Sequence, residues 1–358
     1  MGYCQPKGRD LFKSLVKKAK PMNHDQKRKE RVDRGIKIRS DGLYALMSWR
    51  ELSYLILPRL LLILGLLLLP FIVPGLYWQR VISIVCIYAL LALSFDFLAH
   101  FVGLVSLGGA FFIGVGGYIT AVLNVYMGLP IIVTIPLATL LGAVICTFLL
   151  LPCLPLRGVY FAIITLMYPL MLGRVIEALD ILGGTDGIMG LDSFASSWVE
   201  QYVIITAVLF SLFAVRRLVN QDLGLIFRAV KDNDQAVKAS GISITLYKAV
   251  GVFIASAMGC LGGACLVHIY MWSGISLLAL DFSILPIAAT VIGGGGTLVG
   301  PIIGCLILVP ISELLRAFGT LRIVFYALIL MAFVVFRTEG IMVYARRKYE
   351  QFERWVRI

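Results

Sequence analysis

The 358 residues have a mean hydropathy of +0.93, with 60% hydrophobic side chains and only 15% charged ones, against about 25% charged in a typical soluble domain. That balance excludes an ordinary soluble enzyme, a disordered chain and a small disulfide scaffold, and it points to a chain dissolved in lipid. The net charge of +12 does not indicate nucleic acid, because the basic residues are confined to three stretches. Residues 1–50 hold 14 Lys/Arg against 5 acids, while 216–248 and 337–358 each hold 6 against 3. Between Leu179 and Gln201 stand four acids (Asp180, Asp186, Asp192, Glu200) and no Lys or Arg. Such segregation is the positive-inside asymmetry of a multi-span membrane protein.

Residues 1–50 contain no apolar run, so they do not read as a signal peptide. Lys7 to Arg39 reads as a flexible cytoplasmic arm, with a surface helix on anionic lipid as the alternative. A helix needs about 20 apolar residues to cross the hydrocarbon core. On that criterion the expected spans are 55–74, 80–101, 105–126, 130–152, 158–178, 200–216, 247–271, 280–298, 301–317 and 321–337. The expectation is an all-α polytopic membrane protein of about ten transmembrane or broken helices with both termini cytoplasmic. It comprises a basic arm (1–50), a transmembrane domain (51–337) with a cytoplasmic loop (217–247), and a basic tail (338–358). The acidic stretch 179–200 then falls outside and the three basic stretches inside, as the charge rule requires.

Two spans are irregular. The third carries Gly108, Gly109, Gly114, Gly116 and Gly117; the eighth carries Pro286 and then Gly293 to Gly296. Backbone groups freed by Gly and Pro must face protein or a water-filled path, and broken segments in opposite halves of a membrane protein mark a transport site. The two also align: Ser106 and Ser283 are each followed at +10 and +11 by a Gly pair and at +14 by Thr120 or Thr297, which suggests an inverted repeat. Gly296, Gly300 and Gly304 offer a small-xxx-small ridge for helix packing.

Catalytic and metal chemistry finds no foothold in the residues. The three His (His24, His100, His268) are far apart, the seven Cys show no C-x-x-C pair, and no Lys follows the glycines of 293–296 as a phosphate loop would need. An intramembrane transferase would require an acid/base or nucleophile constellation. An ion-coupled carrier would show a mid-span carboxylate relay. The embedded charges Asp96, Arg174, Glu177, Asp281, Glu313, Arg316 and Arg322 instead lie near expected span ends, where snorkelling or helix-terminus contacts explain them. Residues 221–248 read as a short amphipathic cytoplasmic helix stopped at Gly241, a docking element for a motor protein.

Four blocks then carry a resemblance. SLGGAFFIGVGGY (106–118), LRGVYFAIITL (156–166) with GGTDGI (183–188), GLIFRAVKDNDQAVKASGI (224–242) and VIGGGGTLVGPIIG (291–304) resemble, in order, the motifs of the LivM-type permeases of branched-chain amino acid ABC transporters. The wider family also serves urea, short amides and aromatic acids. The resemblance implies a type II importer-like permease of the bacterial inner membrane. Its partners would be a second homologous permease, two ABC ATPase subunits that carry ATP and Mg, an external substrate-binding protein and membrane lipid. It implies no cofactor or catalytic residue on this chain and no nucleic acid. In the coupling block, Arg228, Ala229, Lys231, Asp232, Asn233 and Gly241 fall on the family's positions for contact with an ATPase. Departures are Gly109 for the family's His, Leu170 after Pro169 for a frequent Glu, and Leu225–Ile226 for Gly-Arg.

The expected pathway residues are Ser106, Gly109, Tyr118, Tyr160, Thr165, Asp281, Ser283, Gly293, Gly294 and Thr297, with Thr185 and Asp186 at the external mouth. For each, a plain structural role is the alternative: a hydroxyl bonded to helix backbone, or turn chemistry at Asp186.

Overall fold

The computed structural model describes residues 63–68, 70–71, 75–156 and 158–315, with short stretches between 319 and 347; these lie in one compact unit, Leu60–Lys348. The basic arm, most of the expected spans 55–74 and 321–337, and most of the tail lie outside the described residues.

In lipid every backbone N–H and C=O must be paired within the chain, so apolar runs of this length become helices. Helix α1 (Leu76–Asp96) continues into a π-helical turn (Phe97–Val102). After an irregular stretch come α2 (Gly109–Ala121) with a second π turn (Val122–Tyr126), α3 (Ile131–Leu150) and α4 (Val159–Leu179). A short strand β1 (Ile188–Met189) precedes α5 (Ser197–Val219), which leads to α6 (Asp222–Asp232), α7 (Asp234–Ala239) and α8 (Ile244–Tyr270). Strand β2 (Trp272–Ser273), a 3-10 turn (Ile275–Leu278), α9 (Asp281–Gly293) and α10 (Gly300–Leu314) complete the described elements. Strands β1 and β2 pair antiparallel, Ile188 opposite Ser273.

Among the described residues seven segments are long and apolar enough to cross a membrane: Leu76–Val102, Gly109–Tyr126, Ile131–Cys153, Val159–Leu179, Ser197–Val219, Ile244–Tyr270 and Ile275–Gly293. An eighth apolar helix, α10, is shorter at 15 residues, about 22 Å against a hydrocarbon core of about 30 Å. Each expected span from 80–101 to 301–317 coincides with one of these helices. α5 is 23 residues long, roughly 34 Å, so the loop before it and the α6–α7 segment after it lie at opposite ends of the bundle. Ser196 caps α5 by accepting the Val199 N–H at 3.3 Å, and Arg216 and Arg217 close its last turn, where cations complement the helix dipole.

Helices α1, α2 and α8 form the core. Glycines let α8 approach α2: the α-carbon of Gly259 lies against the Phe112 side chain, and that of Gly263 against the Ile113 carbonyl oxygen. Lipid gives helices no hydrophobic drive to associate, so close backbone contact is what holds them. α3, α4 and α5 leave large apolar side chains exposed, among them Leu140, Phe148, Met167, Met171 and Phe210, as a surface for lipid or another subunit requires.

Two expectations change. The glycine ridge is realised only in part: Gly300 and Gly304 pack against Gly293 and the Ala289 carbonyl across the α9–α10 hairpin, while Gly296 lies in the connecting loop. The two irregular spans are also not equivalent along the alignment of their sequences. Ser106 precedes α2 and Gly116–Gly117 lie inside it, whereas Ser283 is the third residue of α9 and Gly293–Gly294 end it. Nor does α9 break at Pro286, which it accommodates; the break falls between Gly294 and Val299, outside the helices.

Candidate functional site

The first turn of a helix leaves backbone N–H groups without partners. At α2 those at and just before the turn are taken by hydroxyls from three segments. The Leu107 N–H donates to Thr165 Oγ1 of α4 at 2.9 Å, the Gly108 N–H to Ser106 Oγ at 3.2 Å, and the Ala110 N–H to Ser283 Oγ of α9 at 2.9 Å. All three hydroxyl residues are buried. The N-termini of α2 and α9 thus meet inside the bundle. Thr165 is the seventh residue of α4, roughly 9 Å along its axis, so the junction lies well within the helices.

Two prolines add to this junction. Pro cannot donate to the carbonyl four residues earlier, so Pro286 in α9 frees the Phe282 carbonyl and Pro169 in α4 frees that of Thr165. Both oxygens face the Gly108–Gly109 backbone: a β-carbon at Gly109 would meet the Phe282 oxygen at 2.7 Å, and one at Gly108 the Thr165 oxygen at 3.4 Å. The junction therefore gathers the N-terminal ends of two helices and two freed carbonyls around the Gly108–Gly109 backbone. It also accounts for Gly109 where the related pattern has His, since any side chain there would press on backbone.

Of the expected pathway residues, the structure brings together Ser106, Gly109, Thr165 and Ser283, with Asp281 half-buried in the first turn of α9. It sets the others apart. Tyr118 is buried on α2, and its hydroxyl meets no partner among the described residues. Tyr160 is exposed at the start of α4. Leu170, at the position of the frequent Glu, is on the exposed side of α4 and away from the junction. Gly293, Gly294 and Thr297 belong to the α9–α10 connection, where Thr297 Oγ1 donates to the Gly294 carbonyl at 2.8 Å and accepts the Gly300 N–H at 2.9 Å.

That connection depends on a residue the sequence reading passed over. Asp96, grouped there with charges near span ends, is fully buried. Its Oδ1 accepts the Gly296 N–H at 2.6 Å and its Oδ2 the Leu298 N–H at 3.1 Å, and His100 Nδ1 lies 2.8 Å from Oδ1. A carboxylate inside an apolar bundle must be paired to be tolerated, and that rule was the available signal.

At one end of the bundle the α6–α7 segment replaces the single helix expected. Asn233 breaks it: its backbone is extended, and its side chain caps α7 by accepting the Gln235 and Ala236 N–H groups at 3.0 and 3.2 Å. Gly241, with φ of +79°, ends α7 as expected. α6 is amphipathic: Gly224, Phe227 and Val230 are buried, while Arg228, Ala229, Lys231, Asp232 and Asn233 are exposed, as is Gly241. Lys248 Nζ pairs with Asp234 Oδ2 at 3.1 Å. A cavity of about 290 Å³ opens beside the hinge, lined by Gly103, Gly158, Lys231, Asp232, Asn233 and Lys248 among others.

At the other end, Thr185 and Asp186 are exposed in a Gly-rich turn, where the Asp186 carbonyl accepts the Trp272 indole N–H at 2.9 Å. The loop that follows is fastened by residues the sequence reading did not single out. Asn124 exchanges two bonds with Asp192, Nδ2 to Oδ2 and Oδ1 from the Asp192 N–H, each 2.9 Å. His268 bridges the Asp192 carbonyl, 2.8 Å from Nδ1, and Thr134 Oγ1, 3.2 Å from Nε2. His268 was the detectable member, a lone imidazole in an apolar span. Among the described residues no group of three or more His, Cys, Asp or Glu is placed to hold a metal ion.

The family model for the branched-chain amino acid transport system permease component matches residues 77–336. The high-affinity branched-chain amino acid transport system permease protein LivM of Salmonella typhimurium is 26% identical over 291 residues, 72% of this chain and 68% of the relative. Its Escherichia coli counterpart is 25% identical over 295 residues, 73% and 68% of the two chains. A probable LivM of Methanocaldococcus jannaschii is 30% identical over 227 residues, 58% and 65% of the two. No solved structure matches the chain significantly.

Proposed function

Because the chain belongs to the branched-chain amino acid transport permease family, we propose that it is one membrane subunit of an ABC importer for leucine, isoleucine and valine. It pairs with a second, homologous permease. Two ATPase subunits, which carry the ATP and Mg, engage the α6–α7 segment through Arg228, Ala229, Lys231, Asp232, Asn233 and Gly241. An external binding protein delivers substrate near Thr185 and Asp186. The observation that carries this reading is the α6–α7 segment itself. It presents an exposed polar face at one end of the bundle while Phe227 and Val230 seat it on the membrane helices, an arrangement suited to passing on an applied push.

In the alternating-access cycle, closure of the ATPases moves α6–α7 and rearranges the helices around the α2–α9 junction. There the positive helix ends favour the substrate carboxylate and the freed Phe282 and Thr165 carbonyls its ammonium group. The binding protein supplies most of the selectivity for the aliphatic side chain. ATP hydrolysis belongs to the partner subunits, and this chain contributes passage rather than covalent chemistry.

The test is reconstitution of the chain with its partner subunits in proteoliposomes, measuring ATP hydrolysis and uptake with binding protein loaded with leucine, isoleucine, valine, urea or a benzoate-type acid. Stimulation by the three branched-chain amino acids is the expected result. Stimulation by urea or the aromatic acid alone would reassign the substrate, and uptake without ATP would replace the importer with a secondary carrier.

A further inference from the structure

The coupling segment and the glycine loop that ends α9 are joined through one short element. Phe227 of α6 meets Phe97 edge-on, ring centroids 5.8 Å apart at 83°, and the Arg228 guanidinium sits 5.9 Å from the centre of the Phe101 ring. Lys231 Nζ donates to the His100 carbonyl at 2.9 Å. Gly103, with φ of +81°, ends the turn against Lys231, where a β-carbon would stand 3.0 Å from its α-, β- and γ-carbons. Every one of these contacts falls on Phe97–Val102, the π-helical end of α1, or on the Gly103 that closes it.

The other side of the same turn holds the glycine loop. Asp96, immediately before it, accepts the Gly296 and Leu298 N–H groups, and His100 within it lies 2.8 Å from Asp96 Oδ1. The His100 ring also presses on the α-carbon of Gly295. A π turn carries one more residue per turn than an α-helix and recurs at functional positions because it can change register locally. Displacing the backbone at His100 therefore moves the carboxylate and imidazole that hold residues 295–298, and with them the end of α9. The N-terminus of α9 is the Ser283 side of the substrate junction.

We propose that the Phe97–Val102 turn, with Asp96 and His100 as positioning residues, is the link through which movement of the coupling segment repositions the 293–300 loop and, along α9, the α2–α9 junction. This rests on the importer reading given above. The contacts form a continuous chain from Lys231 to Gly296: hydrogen bonds join Lys231 to the His100 carbonyl and Asp96 to the Gly296 and Leu298 N–H groups, and between them the His100 ring stands close beside the Asp96 carboxylate one turn away.

The experiment uses the full complex in proteoliposomes, with leucine uptake and ATP hydrolysis read in the same vesicles, for Asp96→Asn, Lys231→Met and the double variant. The readout is leucine transported per ATP hydrolysed, which loss of folded protein does not alter because it lowers both rates together. Each single variant should lower that ratio by about fivefold or more, the lower end of ordinary allosteric coupling. The double variant should be no worse than the worse single, because both break one link, whereas independent effects would multiply. Unchanged ratios in both singles, or multiplying losses, overturn the proposal while leaving the importer reading intact. If Asp96→Asn does not assemble, His100→Leu replaces it, since His100 is 40% exposed and its loss leaves the Asp96 bonds to the loop in place. A wild-type complex without ATP-driven uptake overturns the importer reading and this inference with it.

Discussion

At Gly109 the backbone of α2 touches the backbone of α9, and neither can yield as a flexible side chain could. Gly109→Ala should therefore separate the two helix ends and lower uptake by about tenfold, equivalent to about 1.4 kcal/mol at the rate-limiting step, with the complex still recovered by size-exclusion chromatography. Unchanged uptake would remove the junction from the pathway. Thr165 makes a different test. Thr165→Val leaves the half-buried Leu107 N–H without its acceptor, at a cost of about 1 kcal/mol, so the melting temperature should fall, and Thr165→Ser should restore it. Equal melting of the Val and Ser variants would show that the hydroxyl is dispensable.

Among elements, α6 and α7 act as a bent pair because Asn233 ends one and caps the other. Asn233→Ala removes two bonds to the α7 backbone, and loss of such a cap costs about 1 kcal/mol. The expected consequence is a looser hinge, read as faster hydrogen exchange across 234–239 than across 222–231. Uniform exchange over both helices would mean that Asn233 is not the hinge. Replacing Arg228 with Glu reverses the charge on the exposed face while Phe227 and Val230 stay buried. Uptake should fall with binding-protein affinity preserved, and normal uptake would displace the ATPase contact from this face.

The molecule as a whole is a multi-pass inner-membrane protein whose two ends are built differently. One end is basic and carries the hinge and the glycine loop. The other is acidic and tied down by Asn124, Asp192, His268 and Thr134 around a two-residue β-ladder. Among the described residues all six cysteines are buried, so with Cys4 replaced by Ser a single exposed reporter can be introduced. Ala229→Cys should react with a membrane-impermeant maleimide only from the cytoplasmic side, and Thr185→Cys only from outside. Labelling with the two sides exchanged would invert the topology, and labelling of both from one side would overturn their placement on opposite faces.

Composition and charge placement by themselves determined that this chain lives in lipid and where the eight apolar helices between residues 76 and 314 lie. Solvation sets those features, and solvation is written residue by residue: an apolar run of sufficient length has no stable form in the bilayer except a helix. The order of the glycine-bearing motifs likewise marked the family and the break in the chain after Gly293. The partnerships at the sites came only with the tertiary structure. Nothing local to Asp96 distinguishes a snorkelling carboxylate from one holding two N–H groups 200 and 202 residues away. Nor does the spacing of Ser106, Thr165 and Ser283 reveal that they cap one helix. Pro286 announced a freed carbonyl in the sequence, but that its oxygen would face Gly109 depends on how α2 and α9 cross. Helix crossings are decided by close packing between distant segments, and close packing is a property of the folded molecule rather than of any stretch of it.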